Sequence, residues 1–177
     1  MKGLTIRSVT QAVGGVLYCN GKRLSDGADD ERQISAVTID SRTVTENSLF
    51  IAIKGERNDG HDFIKECLDK GAAAVISEKI IPDENRPVIV VDSTLKALRD
   101  LASFYRSQLN VKVVGITGSV GKTSTKETIA SVLATRYRVL KTKGNYNNEI
   151  GVPLTVFRIT EDDEVAVEPV RQVVSRF

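Results

Sequence analysis

Apolar positions in this chain fall into short β-branched runs separated by stretches in which apolar residues recur at helical spacing, an alternation that predicts an α/β fold. Val9, Val13 and Val16 predict a short amphipathic helix within residues 1–20, ending at or just beyond Gly14-Gly15, and residues 21–30 are polar and turn-rich. Residues 34–39 alternate as a strand and stop at Asp40-Ser41-Arg42; residues 49–53 predict a second strand, closed by Lys54-Gly55 and a polar loop ending in Asp59-Gly60-His61-Asp62. A helix over 63–70, with Ile64, Cys67 and Leu68 inward, leads to strands at 73–77 and 88–91 around a loop at 82–87. Asp92-Ser93 caps a helix over 94–109, on which Leu95, Leu98, Ala102, Tyr105 and Leu109 keep helical spacing. We divide the chain here, into an N-terminal domain over 1–91 and the beginning of a second, parallel-sheet domain over 92–177.

The second half opens on a β-branched strand over 111–116. A helix follows from near Thr123 to about Arg136, with Ile129, Val132 and Leu133 on one face. A short strand at 138–140, a loop over 142–149, an apolar stretch over 150–157 around Pro153, an acidic surface turn at 161–164 and a strand from 165 complete the pattern. The last ten residues have no readable role, and no internal repeat appears.

Composition narrows the classes. With 177 residues and 41% hydrophobic content, the chain can bury a core without staples. A formal charge of +2, from 25 Lys+Arg against 23 Asp+Glu, gives no general reason to expect a nucleic acid or an anionic membrane as partner. No export signal and no run of eighteen apolar residues is visible, so no membrane span is expected and the cytoplasm is the default location. Cys19 and Cys67 lack metal-site spacing and are read as free thiols.

The most informative stretch is VKVVGITGSVGKTSTKE, residues 111–127: a strand, three glycines within seven residues, Lys-Thr-Ser-Thr, then a helix. The phosphate-loop pattern is met at Gly121-Lys122-Thr123 and departs at Ile116, which stands where a glycine is usual, with Gly115 and Gly118 on either side. Gly118 and Gly121 let backbone N–H groups turn onto an anion, the helix adds its positive end, Lys122 reaches the outer phosphates, and the Thr123 hydroxyl suits Mg2+. A nucleoside triphosphate is the expected ligand.

Four further groups can carry chemistry, each with a bland alternative. Asp40-Ser41-Arg42 is an ordinary turn or, at a strand's carboxyl end, a diphosphate site with a bidentate arginine. His61, the single histidine, is a solvated loop residue or part of a site. Asn145, Asn147 and Asn148 are turn formers or ligands of phosphate and of a metal's water shell. Glu168 is a surface residue or, if its strand lies beside the phosphate-loop strand, a Mg2+ ligand.

In order, DSR, LFIAIKGERNDGHDF, GITGSVGKTSTKE and GNYNNEIGVPLT closely resemble the Mur ligases of bacterial cell-wall synthesis, over nearly the whole chain to about Val167. The last two segments are most similar to the member that joins D-alanyl-D-alanine to UDP-N-acetylmuramoyl-tripeptide. The relative that adds the third amino acid shares the DSR and GKT elements but is less like residues 144–155. The resemblance implies a three-domain, ATP- and Mg2+-dependent ligase of peptidoglycan synthesis that phosphorylates a carboxylate to an acyl phosphate, which an amine then attacks. It implies Lys122 as the catalytic residue, and Gly118, Ser119, Val120, Gly121, Lys122, Thr123, Ser124, Asn145 and Asn148 at ATP. It implies Thr123 and Glu168 at Mg2+, and Ser41, Arg42, Glu56, Arg57, Asn58 and His61 at the UDP-sugar. The family's Glu-x-Gly context is absent, since Glu168 is followed by Pro169, and the family's carbamylated lysine, second-metal histidine and C-terminal domain have no counterpart. We therefore expect an N-terminal fragment, inactive in ligation and prone to associate, of an enzyme that is monomeric when complete. A P-loop GTPase or kinase is a competing reading, against which no Asn-Lys-x-Asp element occurs; a regulatory nucleotide-binding module is another.

Overall fold

A computed structural model describes residues 1, 3–24, 30–56, 58–142 and 148–169. Arg57, Asn145 and Asn147, singled out above, lie outside the described residues. The chain forms two compact units, Met1–Leu101 and Ala102–Phe177.

In the first unit, helix α1 (Ile6–Ala12) starts in a reciprocal capping box: the Thr5 hydroxyl accepts the Ser8 N–H at 3.1 Å and Ser8 Oγ accepts the Thr5 N–H at 2.9 Å. The helix is shorter than its apolar spacing predicts. It stops at Val13, and Gly14 turns the chain with φ +61°, a conformation open to glycine. Val16 then opens strand β1 (Val16–Cys19) rather than closing the helix, and β1 pairs with the two-residue β2 (Lys22–Arg23).

The remaining strands are β3 (Val37–Thr38), β4 (Leu49–Ile51), β5 (Ala74–Ser77) and β6 (Val88–Val90), giving a sheet of order β2-β1-β6-β5-β4-β3. Strands β3 to β6 are mutually parallel and β1 runs antiparallel to β6. Every residue of β4 and β5 is buried, as for inner parallel strands covered on both faces. Helix α2 (Ile64–Asp69) crosses from β4 to β5 and buries Ile64, Cys67 and Leu68 against Phe50, Val75 and Val88, with the three inward residues as predicted. Burial pushes the Cys67 thiol up to about 11.

Helix α3 (Thr94–Ser107) follows, and the division between the units falls within it. In the second unit β7 (Lys112–Ile116), β8 (Val139–Lys141) and β9 (Val165–Pro169) form a parallel sheet of order β7-β9-β8, and α4 (Lys122–Leu133) packs on it. The inward face of α4 differs from the predicted one. Lys126 and Ala130 are buried, Ile129 and Leu133 pack partly, and Val132 is 65% exposed. Helix α5 (Gly151–Val156) carries Pro153 as its third residue, near the helix start where proline is tolerated. Tyr105 anchors the unit by donating its hydroxyl to the Ile159 carbonyl at 2.8 Å.

Candidate functional site

In the parallel part of the first sheet, and in the second sheet, the chemistry-bearing loops lie at the carboxyl ends of the strands, where open α/β sheets bind ligands. In the second unit, β7 leaves Ile116 buried and passes into residues 117–121, with Gly118 at φ +147° and Gly121 at φ +84°. Gly121 is the N-cap of α4, and no side chain caps that end. The first N–H groups of α4 therefore remain available to an anion. The Lys122 ammonium arches back over the loop and donates to the Gly118 carbonyl. Ser119, Val120, Thr123 and Ser124 are exposed, Val120 at 90%. The burial of Ile116 in the sheet core explains the departure from the phosphate-loop pattern: this position belongs to the strand, and the turn is made by Gly118 and Gly121 alone.

Strand β9 lies beside β7 with Glu168 opposite Gly115, so Glu168 stands at the carboxyl end of the strand next to the phosphate loop. Among the described residues no group of three or more His, Cys, Asp or Glu side chains is assembled for a metal. Asn148 has a local duty: its Oδ1 accepts the N–H of Gly151, the first residue of α5, at 2.7 Å.

Lys126 is absent from the sequence-level candidates, yet it is 2% exposed. Its ammonium donates to the Thr142 carbonyl at 2.8 Å, where β8 ends, and lies 3.3 Å from Glu127 Oε1. Glu127 also pairs with Lys141 at 2.5 Å, and the two lysines, Lys141 first, hold its carboxyl below the ordinary value. The only signal available in the sequence was a lysine four residues before Ala130 on the helix's inward stripe.

In the first unit, Asp40, Ser41 and Arg42 follow β3, and Ser41–Thr43 is a 3-10 turn capped by Asp40. Asp40 Oδ1 accepts the Arg42 N–H at 3.0 Å and its Nε–H at 2.9 Å, while Arg42 Nη2 donates to Oδ2 at 2.7 Å. These bonds, led by the guanidinium, lower the Asp40 carboxyl to about 2. Arg42 remains 85% exposed. Lys70, which sequence reasoning passed over, donates to the Ser41 carbonyl at 3.0 Å and to Glu66 at 2.6 Å, fixing the turn from α2.

Beyond the adjacent strand β4, Lys54 bridges Asp59 and the Gly55 N–H donates to the Asn58 carbonyl at 2.9 Å. Glu56 and Asn58 are exposed. Gly60 packs so tightly that a Cβ there would stand 2.8 Å from the backbone N and O of Ile53. His61 differs from a solvated loop residue, since its side chain is 5% exposed and both ring nitrogens are engaged within the protein. Neither is free for a ligand in this arrangement.

The model "Mur ligase family, catalytic domain" matches residues 33–106 and "Mur ligase middle domain" matches 116–168. The UDP-N-acetylmuramoyl-tripeptide--D-alanyl-D-alanine ligase of Bacillus subtilis is 43% identical over 165 residues, covering 92% of this chain and 35% of the relative. A crystal structure of MurF from Acinetobacter baumannii superposes with a TM-score of 0.82 at 33% identity, over 95% of this chain and 36% of that one. The Thermotoga maritima MurF ligase in complex with ADP gives 0.70 at 39% identity, over 76% and 31%. The chain spans about a third of the length of these relatives. With two successive family matches, one over each half, and the strand-loop-helix geometry expected of them, the chain belongs to the Mur ligase family.

Proposed function

We propose that this chain supplies the sugar-nucleotide-binding part and the phosphate loop of an ATP-dependent ligase that joins D-alanyl-D-alanine to UDP-N-acetylmuramoyl-tripeptide in peptidoglycan synthesis. The observation that carries the reading is the loop at 117–121. Two glycines at positive φ, an uncapped helix N-terminus and the Lys122 ammonium folded over Gly118 together make a site for a polyphosphate.

In this reading, Gly118, Ser119, Val120 and Gly121 present backbone N–H groups to ATP, Lys122 neutralises the outer phosphates during transfer, and Thr123 and Ser124 add hydroxyls at the first turn of α4. Asn148, with its carbonyl oxygen committed to the Gly151 N–H, retains its amide N–H groups for ATP, the ligand to which Asn145 is also assigned. Thr123 and Glu168 would hold Mg2+, a hard cation suited to oxygen donors that lowers the charge on the phosphates when bound. Arg42 and Ser41, with Glu56, Arg57 and Asn58, bind the uridine diphosphate part of the substrate. The γ-phosphoryl passes to the tripeptide carboxylate with release of ADP; the dipeptide amine then attacks the acyl phosphate and inorganic phosphate leaves. We place the complete enzyme in the cytoplasm as a monomer. Among the described residues no helix is long and apolar enough to cross a membrane.

Displacement of a fluorescent ATP analogue tests the nucleotide assignment. Unlabelled ATP should displace it and GTP should not; displacement by both alike would turn the reading toward a general nucleotide module.

A further inference from the structure

A chain of hydrogen bonds crosses the carboxyl edge of the first unit without serving any ligand assigned above. Asp59 Oδ1 accepts the His61 backbone N–H at 3.0 Å and faces His61 Nδ1 at 2.6 Å. On the far side of the ring, Nε2 accepts the Glu78 N–H at 3.0 Å, just beyond the end of β5. Acceptance at Nε2 requires that nitrogen to be unprotonated, so the proton resides on Nδ1 and is donated to the Asp59 carboxylate. Glu78 continues the chain, its Oε1 accepting the N–H of Thr94 at 2.8 Å and its hydroxyl at 3.0 Å, at the first residue of α3. Thr94 is 1% exposed.

The chemistry explains why a histidine stands here. A neutral imidazole offers a donor and an acceptor on opposite sides of a rigid ring, whereas an amide side chain offers both at one flexible end. The bond to Asp59 is charge-assisted, and Asp59 is held below the ordinary carboxylate value chiefly by the His61 backbone N–H and then by its ring. The Lys54–Asp59 bridge is thus fixed on two sides. Gly60 donates to the Ile53 carbonyl at 3.0 Å and leaves no room for a Cβ, and the next residue bolts Asp59 to the end of β5.

We infer that His61 is a positioning residue, which clamps the Lys54–Asp59 bridge to the end of β5 and so orients Glu56 and Asn58 toward a uridine diphosphate ligand without touching it. The inference rests on the sugar-nucleotide reading of this unit, and the test separates the two. The 177-residue chain is examined by NMR, following the ring nitrogens of His61 and the exchange of the Glu78 and Gly55 amides, while UDP binding is measured by calorimetry. In the parent, Nε2 should have the signature of an acceptor, and saturating UDP should leave the ring signals in place.

His61→Phe, which keeps a planar ring and removes both nitrogens, should speed exchange of both amides and weaken UDP each by about tenfold, the effect expected from losing one hydrogen-bonded link. Should that variant fail to fold, Asp59→Asn, which retains an amide oxygen for the ring, should act in the same direction to a smaller degree. Movement of the ring nitrogen signals by UDP would make His61 a ligand contact and overturn the inference, as would unchanged exchange and affinity in both variants. A parent chain that fails to bind UDP while amide exchange still responds to His61→Phe would refute the sugar-nucleotide reading and leave the clamp standing.

Discussion

At the scale of single residues, the Asp40–Arg42 pair is where charge and conformation are most tightly linked. The Asp40 carboxyl, near 3.9 when unperturbed, lies at about 2 because the Arg42 guanidinium and then its N–H favour the ionised form. A lowered value in the folded chain means that the pair stabilises fully above the ordinary pKa and loses its contribution as pH falls from about 4 to about 2. Solvent reaches both side chains, so the gain is modest. Asp40→Asn should therefore lower the unfolding midpoint of the first unit slightly at pH 7, by as much as it removes from the decline between pH 4 and 2; urea titrations at a series of pH values check this. An Asp40→Asn profile parallel to the parent throughout would mean that the pair contributes nothing.

At the scale of elements, what the sequence revealed depended on whether a pattern had one physical meaning. The strands at 74–77 and 88–90 and the helix opening at Thr94 were legible because continuous apolar runs and an unbroken helical stripe admit little else. Val16 was misleading: Val9, Val13 and Val16 sit at helical spacing, but Gly14 at φ +61° ends the helix first and pairing with β6 claims the valine for a strand. The same ambiguity hid Lys126, because a lysine on an apolar stripe reads as a solvated edge until its acceptor, the Thr142 carbonyl sixteen residues away, is known. Lys126→Met keeps the apolar stem and strands that buried carbonyl, so it should destabilise the second unit by about 1–3 kcal/mol. Chemical unfolding followed through amide signals of β7 to β9 measures the change, and an unaltered midpoint would show that water or a neighbour replaces the ammonium.

At the scale of the whole molecule, the two units differ in how their sheets are enclosed. Inner strands β4 and β5 are buried along their full length, whereas β7 is an edge of its sheet with Val113 45% exposed. Amide exchange should accordingly be slowest at Phe50, Ile51, Val75 and Ile76 and faster throughout β7, and the reverse order would contradict this account of where stability resides. The candidate site was partly legible at this scale. The loop glycines, Lys122 and the Asp40-Ser41-Arg42 turn announce themselves locally, and the strand of Glu168 lies beside the phosphate-loop strand, the condition on which its reading as a Mg2+ ligand depends. Lys70, Glu78 and the internal engagement of His61 were not legible, because each acts through a partner distant in sequence. The central claim, that residues 117–124 hold the phosphates of ATP, is tested most directly by titrating ATP with Mg2+ into the parent chain and into Lys122→Ala by calorimetry. Lys122 serves no core, so the variant should keep the parent's fold and lose at least about tenfold in affinity, the scale of a charge-assisted phosphate contact. Equal affinity in parent and variant, or no heat of binding from the parent itself, would contradict the assignment.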